Sequence, residues 1–289
     1  MKNFLVAYDN QADGATLSAA PGSAAWQTPY PLINLQDYRV KKLAKTANAA
    51  VANTKFRFSL AAPAFISMLA LANTNASVDA RFQWLLYTDN TFTTAKYDSG
   101  VLDLYPLGTI PFGAIPWGAP NWWTGRPLPS EIALFQRNIA HVLSTWQYAQ
   151  YGEFRLLDSA NADGYFSAGR FMCAQAFQPR RNAQYGAAVG LEPRTRVDVA
   201  RDGTPYFDVM RANLVMPFAF PQLSAIEGMK KLQLDATVES HGEVFAIWDH
   251  SDPAYWFQRS LMGRLAKLDR VTHPKFANFE TAFQVEGIL

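Results

Sequence analysis

Alternation of apolar and polar side chains is the feature that most constrains this fold. Residues 56–60, reading FRFSL, and residues 82–86, reading FQWLL, place bulky apolar side chains at every second position. Successive side chains of a strand point to opposite faces, so this period predicts half-buried β-strands. Residues 65–71, reading FISMLAL, form an apolar run between Pro63 and a polar turn, which predicts a central strand covered on both faces.

The predicted strands organise the chain into two domains, as a length of 289 residues favours. Further strands are expected at 147–157 and 165–178, separated by a turn that ends in the hairpin-favouring Asp-Gly pair. This first half is predicted to be an all-β sandwich. Residues 9–30 have no strand or helix period and are interpreted as an arm that lies on a partner or another domain. The PRRN segment at 179–182 breaks the pattern, so the boundary is placed near residue 180.

The second half carries one predicted helix among strands. Ser224 is a good N-cap and Glu227 follows three residues later, which is the pattern of a capping box. The spacing predicts that the helix turns its apolar residues inward: Ile226, Met229, Leu232 and Leu234. Strands are expected at 243–249, 261–271 and 279–286, the last by strict alternation. The half is therefore predicted to be α+β and dominated by strands.

Composition excludes several classes of function. The formal charge is +2, which gives no field for binding nucleic acid. The single cysteine excludes internal disulfides and zinc ribbons. The first residues lack the apolar core of a signal peptide, and the longest apolar stretch, 56–72, is too interrupted to span a membrane. Charged residues are only 17% of the chain against a usual share of about 25%, which indicates a surface that meets other molecules.

The least ordinary segment is residues 105–126, reading YPLGTIPFGAIPWGAPNWWTGR, which we call the Trp loop. Proline recurs every five residues from Pro106 to Pro116, with glycine two places later, as a degenerate pentapeptide P-[LFW]-G-x-x. Such a density of proline and glycine excludes a regular helix or a central strand, so a long irregular loop is expected. The predicted contact residues are Tyr105, Phe112, Trp117, Asn121, Trp122, Trp123 and Arg126.

Three interpretations of the Trp loop stay open at this point. The loop can fold back and close one end of its own core, or its aromatic side chains can form a protein–protein contact. Alternatively, the indoles can stack on the C–H faces of sugar rings while Asn121 and Arg126 bond hydroxyl groups. Composition alone does not choose among them.

Catalytic and metal-binding constellations are not predicted. The sequence contains no GxSxG, HExxH, GxxxxGK[ST] or GxGxxG motif. Asp249 and His250 are adjacent in a predicted strand end and should point apart. The oxygen-rich turns at 9–13 and 158–163 miss the spacing of calcium loops, and ordinary Asx turns are favoured. We therefore expect no enzyme activity, no catalytic residues, no cofactor and no metal.

Several short words of the sequence carry a family resemblance. They are PLINLQD at 31–37, ISMLALANTN at 66–75, TFTTAKYDSG at 91–100, IPWG at 115–118 with NWW at 121–123, and GYFSAGRF at 164–171. In their order they resemble tailed-bacteriophage virion proteins that carry a galactose-binding-like jelly roll. The ending FQVEGIL at 283–289 is similar to β-rich tail-tip proteins.

The resemblance implies a fold and a role. The expected fold is mainly β: an N-terminal arm at 1–30, a jelly-roll β-sandwich at 31–180, and a smaller strand-dominated α+β docking domain at 181–289. The implied role is a structural subunit of a phage tail tip or baseplate, made in the host cytoplasm, incorporated into the virion and assembled with other tail proteins. The alternative is a carbohydrate-binding module that attaches to host-surface glycan through Trp117, Trp122 and Trp123.

Overall fold

The computed structural model describes residues 4–288 and is mainly β, with 42% of residues in strands and 12% in helices. The strands are β1 Leu5–Tyr8, β2 Thr16–Ala19, β3 Ala44–Lys45, β4 Lys55–Ala72, β5 Arg81–Tyr87, β6 Ala95–Asp98, β7 Leu102–Asp103, β8 Ile139–Leu157, β9 Ser167–Ala168, β10 Arg170–Phe177, β11 Gly190–Glu192, β12 Arg196–Val199, β13 Pro205–Asp208, β14 Asn213–Leu223, β15 Glu243–Ile247, β16 Ser260–Leu268, β17 Thr272–Lys275 and β18 Asn278–Gly287. The α-helices are α1 Pro129–Ile132 and α2 Ala225–Val238. Short 3-10 helices lie at Gln11–Gly14, Leu32–Gln36, Phe112–Ala114 and Trp256–Gln258.

The chain divides into two compact units, each described here by itself. The larger unit holds residues 7–176 and 248–260, and the smaller unit holds residues 4–6, 177–247 and 261–288. The larger unit therefore receives a short segment from late in the sequence. Among residues 4–288, no helix is both long and apolar enough to cross a membrane.

The sheet of the larger unit is antiparallel, with neighbours that are not consecutive in sequence. Its order is β10-β4-β8-β5-β6, while β2 pairs with β4 and β7 pairs with β5. This order is consistent with a jelly-roll β-sandwich, and the predicted fold class is confirmed. The apolar run at 65–71 belongs to β4, whose second half is buried between β8 and β10, as predicted for a central strand.

Aromatic packing forms the core of this unit. The Trp84 ring lies 4.5 Å from that of Phe154 and is stacked at 5.7 Å on Phe171. Phe56 packs at 5.5 Å from both of those phenylalanines, and all four side chains are buried. The alternating apolar residues of the sequence thus meet on one face of β4, β5, β8 and β10.

Two local expectations differ from the structure. The strands on either side of the Asp-Gly turn do not form a hairpin, because β8 and β10 each pair with β4 instead. The segment at 9–30 is not a separate arm: β2 pairs with β4, and Trp26 lies 6.2 Å from Phe56. Small side chains such as Ala12 and Ala20 allow this segment to lie close to the core although it shows no hydrophobic period.

The smaller unit is α+β and dominated by strands, as predicted. Its main sheet has the order β11-β14-β18-β16-β15, with β17 paired to β18. Phe220 and Phe283 pack at 5.7 Å and are buried. The strands β12 and β13 pair only with each other in a separate two-stranded ribbon.

Helix α2 begins as predicted but buries a different face. Ser224 and Glu227 form the expected capping box. Leu234 is buried, whereas Ile226, Met229 and Leu232 are exposed, so three of the four predicted inward residues are wrong. The buried stripe instead comprises Gly228, Lys231, Leu234, Asp235 and Val238.

The buried stripe of α2 has a physical cause. A Cβ at Gly228 would lie 3.3 Å from the side chain of Phe279, so the glycine allows the helix to approach β18 closely. Lys231 forms a buried ion pair with Asp235 and donates a 2.7 Å hydrogen bond to the carbonyl of Asp269. A paired lysine therefore belongs to the buried face of α2, which the spacing of apolar residues did not predict.

Candidate functional site

The Trp loop is a chain of turns rather than a disordered segment. The amides of Thr109, Ala114 and Ala119 each donate to the carbonyl of the proline three residues earlier, at 3.2, 2.8 and 3.1 Å. Gly108 and Gly118 adopt positive φ at the third position of their turns, which favours glycine over other residues. The pentapeptide seen in the sequence therefore corresponds to a turn that recurs every five residues.

The loop is closed at its base. The amide of Gly108 donates to the carbonyl of Thr124 at 3.1 Å, and the amide of Ile110 donates to that of Gly125 at 2.7 Å. Ile110 and Ile115 are buried. Part of the loop thus folds back on its own unit, in line with the first of the three interpretations.

The seven predicted contact residues separate into two groups. Phe112 is half exposed, Trp117 and Trp123 are each 83% exposed, and Trp122 is partly exposed with its ring 4.9 Å from that of Trp117. These four side chains form the exposed aromatic surface of the loop. Whether they contact a glycan or a protein stays a prediction.

The other three predicted residues serve the fold of the larger unit. Tyr105 is only 1% exposed and packs edge-on against Phe257, so it cannot face a ligand. Asn121 is buried, and its Nδ2 donates a 2.8 Å hydrogen bond to the carbonyl of Arg126. Arg126 in turn pairs with Asp79 at 2.6 Å and Asp103 at 3.1 Å. The expected hydroxyl-binding role of Asn121 and Arg126 does not fit these internal bonds.

Sequence reasoning missed a cavity of about 720 Å³ in the larger unit. Four segments line it: the start of β5, the chain from β7 to the first proline of the Trp loop, the start of β8, and residues 250–256. Its lining residues are Arg81, Phe82, Val101, Leu102, Asp103, Leu104, Pro106, Ala140, His141, Val142, His250, Ser251, Pro253 and Trp256. We call it the β5–β8 cavity; its volume lies in the range of small-ligand sites.

His141 supplies a neutral imidazole to this cavity. Its Nε2 lies 2.6 Å from the Tyr97 hydroxyl. Burial lowers the pKa of His141 to about 4 and raises the pKa of Tyr97, so both groups are uncharged at neutral pH. A neutral imidazole has one donor and one acceptor nitrogen, so the pair can both give and receive hydrogen bonds.

Arg81 and Asp103 bring opposite charges to the cavity. They are register partners on β5 and β7. The Asp103 carboxylate also accepts the 3.1 Å hydrogen bond from Arg126, so the base of the Trp loop is tied to the cavity wall. Because the lining charges have opposite signs, the cavity does not select strongly for an anion or a cation.

The late segment at 250–256 completes the wall. The amide of Tyr255 donates a 2.7 Å hydrogen bond to the carbonyl of Thr109 in the Trp loop. The Asp249 carboxylate accepts hydrogen bonds from the amide and hydroxyl of Ser251, whereas His250 lines the cavity. Nothing in the sequence placed this segment beside β5 and β8, since more than ninety residues separate it from the end of β8.

The oxygen-rich turns are used for internal hydrogen bonds. Asp158 accepts from the amide and hydroxyl of Ser77 at 2.9 and 2.5 Å and from Asn161 at 2.9 Å. Asp13 pairs with Arg170. Across residues 4–288, no group of three or more His, Cys, Asp or Glu side chains is placed to hold a metal ion.

Comparison with known proteins gives likeness of fold at low similarity. No protein-family model matches the chain, and no curated protein matches it. Among solved structures, it is similar to a family 32 carbohydrate-binding module from a family 31 glycoside hydrolase of Clostridium perfringens, with a TM-score of 0.36, 10% identity, and coverage of 58% of this chain and 99% of that one. It is also similar to a family 32 module from the same organism, solved in complex with galactose. That match has a TM-score of 0.37, 11% identity, and coverage of 59% of this chain and 99% of that one.

A third solved structure aligns with this chain over most of the length of each. It is a fucolectin from striped bass serum, with a TM-score of 0.35, 12% identity, and coverage of 97% of this chain and 90% of that one. At this level of identity the likeness shows the fold alone.

Proposed function

We propose that this protein binds a neutral carbohydrate in the β5–β8 cavity. The observation that carries the proposal is the lining itself: the indole of Trp256 and other apolar side chains stand beside Arg81, Asp103, His141 and His250. A sugar ring has apolar C–H faces and a rim of hydroxyl groups, and each hydroxyl both donates and accepts. The cavity offers apolar side chains to the C–H faces and polar side chains to the hydroxyl groups.

Charge and size favour a saccharide over other small ligands. The opposite charges of Arg81 and Asp103, with a neutral His141, suit an uncharged polar ligand. A volume of about 720 Å³ is large enough for one or two pyranose rings. Arg81 is the donor we assign to ring hydroxyls, because it is exposed and forms no ion pair among residues 4–288.

The Trp loop extends this site. Pro106 at its start lines the cavity, and Arg126 at its end binds the cavity residue Asp103. A longer glycan that leaves the cavity can then stack on Trp117 and Trp123, whose faces are exposed. Together with Trp122, these are the residues for which the sequence predicts a stacking platform.

We propose binding without catalysis. Hydrolysis of a glycosidic bond by the common route needs two carboxyl groups that flank the bond. Among the described residues that line the cavity, Asp103 is the one carboxylate, so a second carboxyl group that could flank the bond is absent from that lining.

A second candidate function is that of a structural subunit in an assembly. The exposed aromatic surface of Phe112, Trp117 and Trp123 favours it, because a lone soluble protein seldom leaves such area in water. A phage tail tip is the assembly implied by the sequence resemblance. That assignment stays a prediction, and the comparisons above give it no support.

A glycan array with three variants tests the proposal. Arg81→Ser removes the donor, and we expect it to weaken glycan binding about tenfold or more, the value of a hydrogen bond from a charged group. Trp146→Ala removes an exposed indole of the same unit that does not line the cavity, and it should bind normally. A wild-type protein that binds no glycan overturns the proposal. The double variant Trp117→Ala, Trp123→Ala should lose binding of long glycans and keep binding of short ones. If this variant instead fails to assemble with other proteins while it binds glycans normally, the result supports the structural-subunit function.

A further inference from the structure

The ribbon of β12 and β13 in the smaller unit is exposed along its whole length. All eight residues of the two strands are exposed, including Val197, Val199 and Phe207. Val197 is paired with Phe207 and Val199 with Pro205, so these four side chains lie on one face of the ribbon. An isolated two-stranded ribbon is marginally stable in water, and three or more strands with an apolar face are needed for stability.

One edge of the ribbon is suited to accept another strand. Strand β13 begins at Pro205, which has no N–H to donate to a further strand. Strand β12, reading Arg-Val-Asp-Val from Arg196, has an amide at every position, and its outer edge is unpaired among the described residues. Natural sheets usually cover or blunt such an edge.

The charges on β12 identify its occupant. Arg196 and Asp198 flank Val197 and share the face opposite to it. If a second β12 pairs antiparallel and is centred on Val197, each Arg196 faces the Asp198 of the other copy. Neither side chain forms an ion pair within residues 4–288, so both are available for these contacts. The edge is therefore self-complementary under a two-fold axis, as an isologous contact requires.

We propose that β12 is the contact through which two copies of this chain associate. The product is a four-stranded antiparallel sheet in the order β13-β12-β12-β13. It joins the apolar faces formed by Val197, Val199 and Phe207 of both copies, and it contains two reciprocal Arg196–Asp198 pairs. The proposal concerns the smaller unit and does not depend on carbohydrate binding.

Charge exchange gives a sharp test by analytical ultracentrifugation of the full chain. The wild type should sediment as a concentration-dependent dimer. Arg196→Asp and Asp198→Arg each create two like-charge pairs, and we expect each to weaken dimerisation about tenfold or more. An equimolar mixture of the two variants restores opposite charges in both pairs, so it should form a heterodimer as readily as the wild type dimerises.

Matched controls carry the same charge changes away from the edge. Arg201→Asp lies in the turn of the ribbon and Glu192→Arg lies on β11; both positions are exposed, and both variants should dimerise normally. A monomeric wild type at all concentrations overturns the proposal. So does a dimer that neither charge variant weakens, or a mixture that fails to associate while both variants remain folded by circular dichroism.

Discussion

The Tyr97 hydroxyl and Nε2 of His141 lie 2.6 Å apart at the wall of the β5–β8 cavity. Because burial lowers the pKa of His141 to about 4, the imidazole is neutral in the folded protein over a range where the unfolded chain binds a proton. This relationship links the stability of the larger unit to pH.

We expect His141 to make the protein less stable as the pH falls. The unfolded imidazole titrates near 6.5 and the folded one near 4, so the unfolded state binds more protons between these values. The free energy of unfolding of the wild type should therefore fall more steeply from pH 7 to pH 4 than that of His141→Gln, measured by urea denaturation. His241→Gln alters an exposed histidine and should follow the wild type. Parallel curves for wild type and His141→Gln contradict the assignment.

Glu153 should contribute to stability through two guanidinium groups. Its carboxylate is buried and accepts hydrogen bonds from Nε of Arg57 at 2.7 Å and Nε of Arg155 at 2.6 Å. Burial alone would raise the pKa of Glu153, but these two hydrogen bonds outweigh it and hold the pKa below its usual range. Since both arginines are partly solvated, Glu153→Gln should cost about 1–3 kcal/mol.

The matched control for Glu153 is an exposed pair of the same unit. Arg39 pairs with Asp37 at 2.8 Å and is largely solvated, so Arg39→Gln should leave the unfolding free energy nearly unchanged. The Glu153 contribution is present at neutral pH and is lost as the pH falls through the folded pKa. Equal effects of the two substitutions in urea denaturation would show that burial of Glu153 is not what matters.

Gly169 should tolerate no side chain. A Cβ there would lie 1.9 Å from the carbonyl oxygen of Val40, and a backbone atom cannot move aside cheaply. Gly169→Ala should lower the unfolding free energy by about 1–3 kcal/mol. Gly113→Ala in the Trp loop meets no atom within 4 Å and should be nearly neutral in the same thermal or urea measurement. A Gly169→Ala protein as stable as the wild type would mean that the backbone of Gly169 does not approach the Val40 carbonyl as described.

Arg126 is expected to position the Trp loop rather than to contact ligand. Its bonds to Asp79 and Asp103 fix the end of the loop. Arg126→Gln should speed proteolytic cleavage within 105–126 at a low protease concentration, whereas Arg81→Ser should leave cleavage unchanged. Equal cleavage of wild type and Arg126→Gln would contradict the anchoring role.

Structural features that depend on local sequence patterns, such as strand positions and a helix start, were predicted from the sequence. Alternation at 56–60 and 82–86 located strands whose apolar residues are buried, and the Ser224–Glu227 pair located the start of α2. The face of α2 was not predictable, because Gly228 and the Lys231–Asp235 pair set it through tertiary contacts. The strand order was not predictable from the sequence either, because β8 and β10 each pair with β4 rather than with each other.

The cavity escaped sequence reasoning for a related physical reason. Arg81, Asp103, His141 and Trp256 come from four separate segments, and no spacing relates them along the chain. The Trp loop was visible because its proline and glycine turns repeat locally. The internal hydrogen bonds of Asn121 and Arg126 were not visible. The sequence does not show whether an asparagine or arginine in a loop bonds to a ligand or to other groups of the protein.

Titration of the protein with neutral monosaccharides, followed by NMR of the tryptophan indole N–H groups, tests the central claim most directly. The panel is galactose, fucose, mannose and N-acetylglucosamine. We predict that at least one sugar shifts the Trp256 indole signal to saturation, leaves Trp146 unmoved, and loses this effect in Arg81→Ser. If no sugar moves Trp256, or if only Trp117 and Trp123 respond, the β5–β8 cavity is not a carbohydrate site.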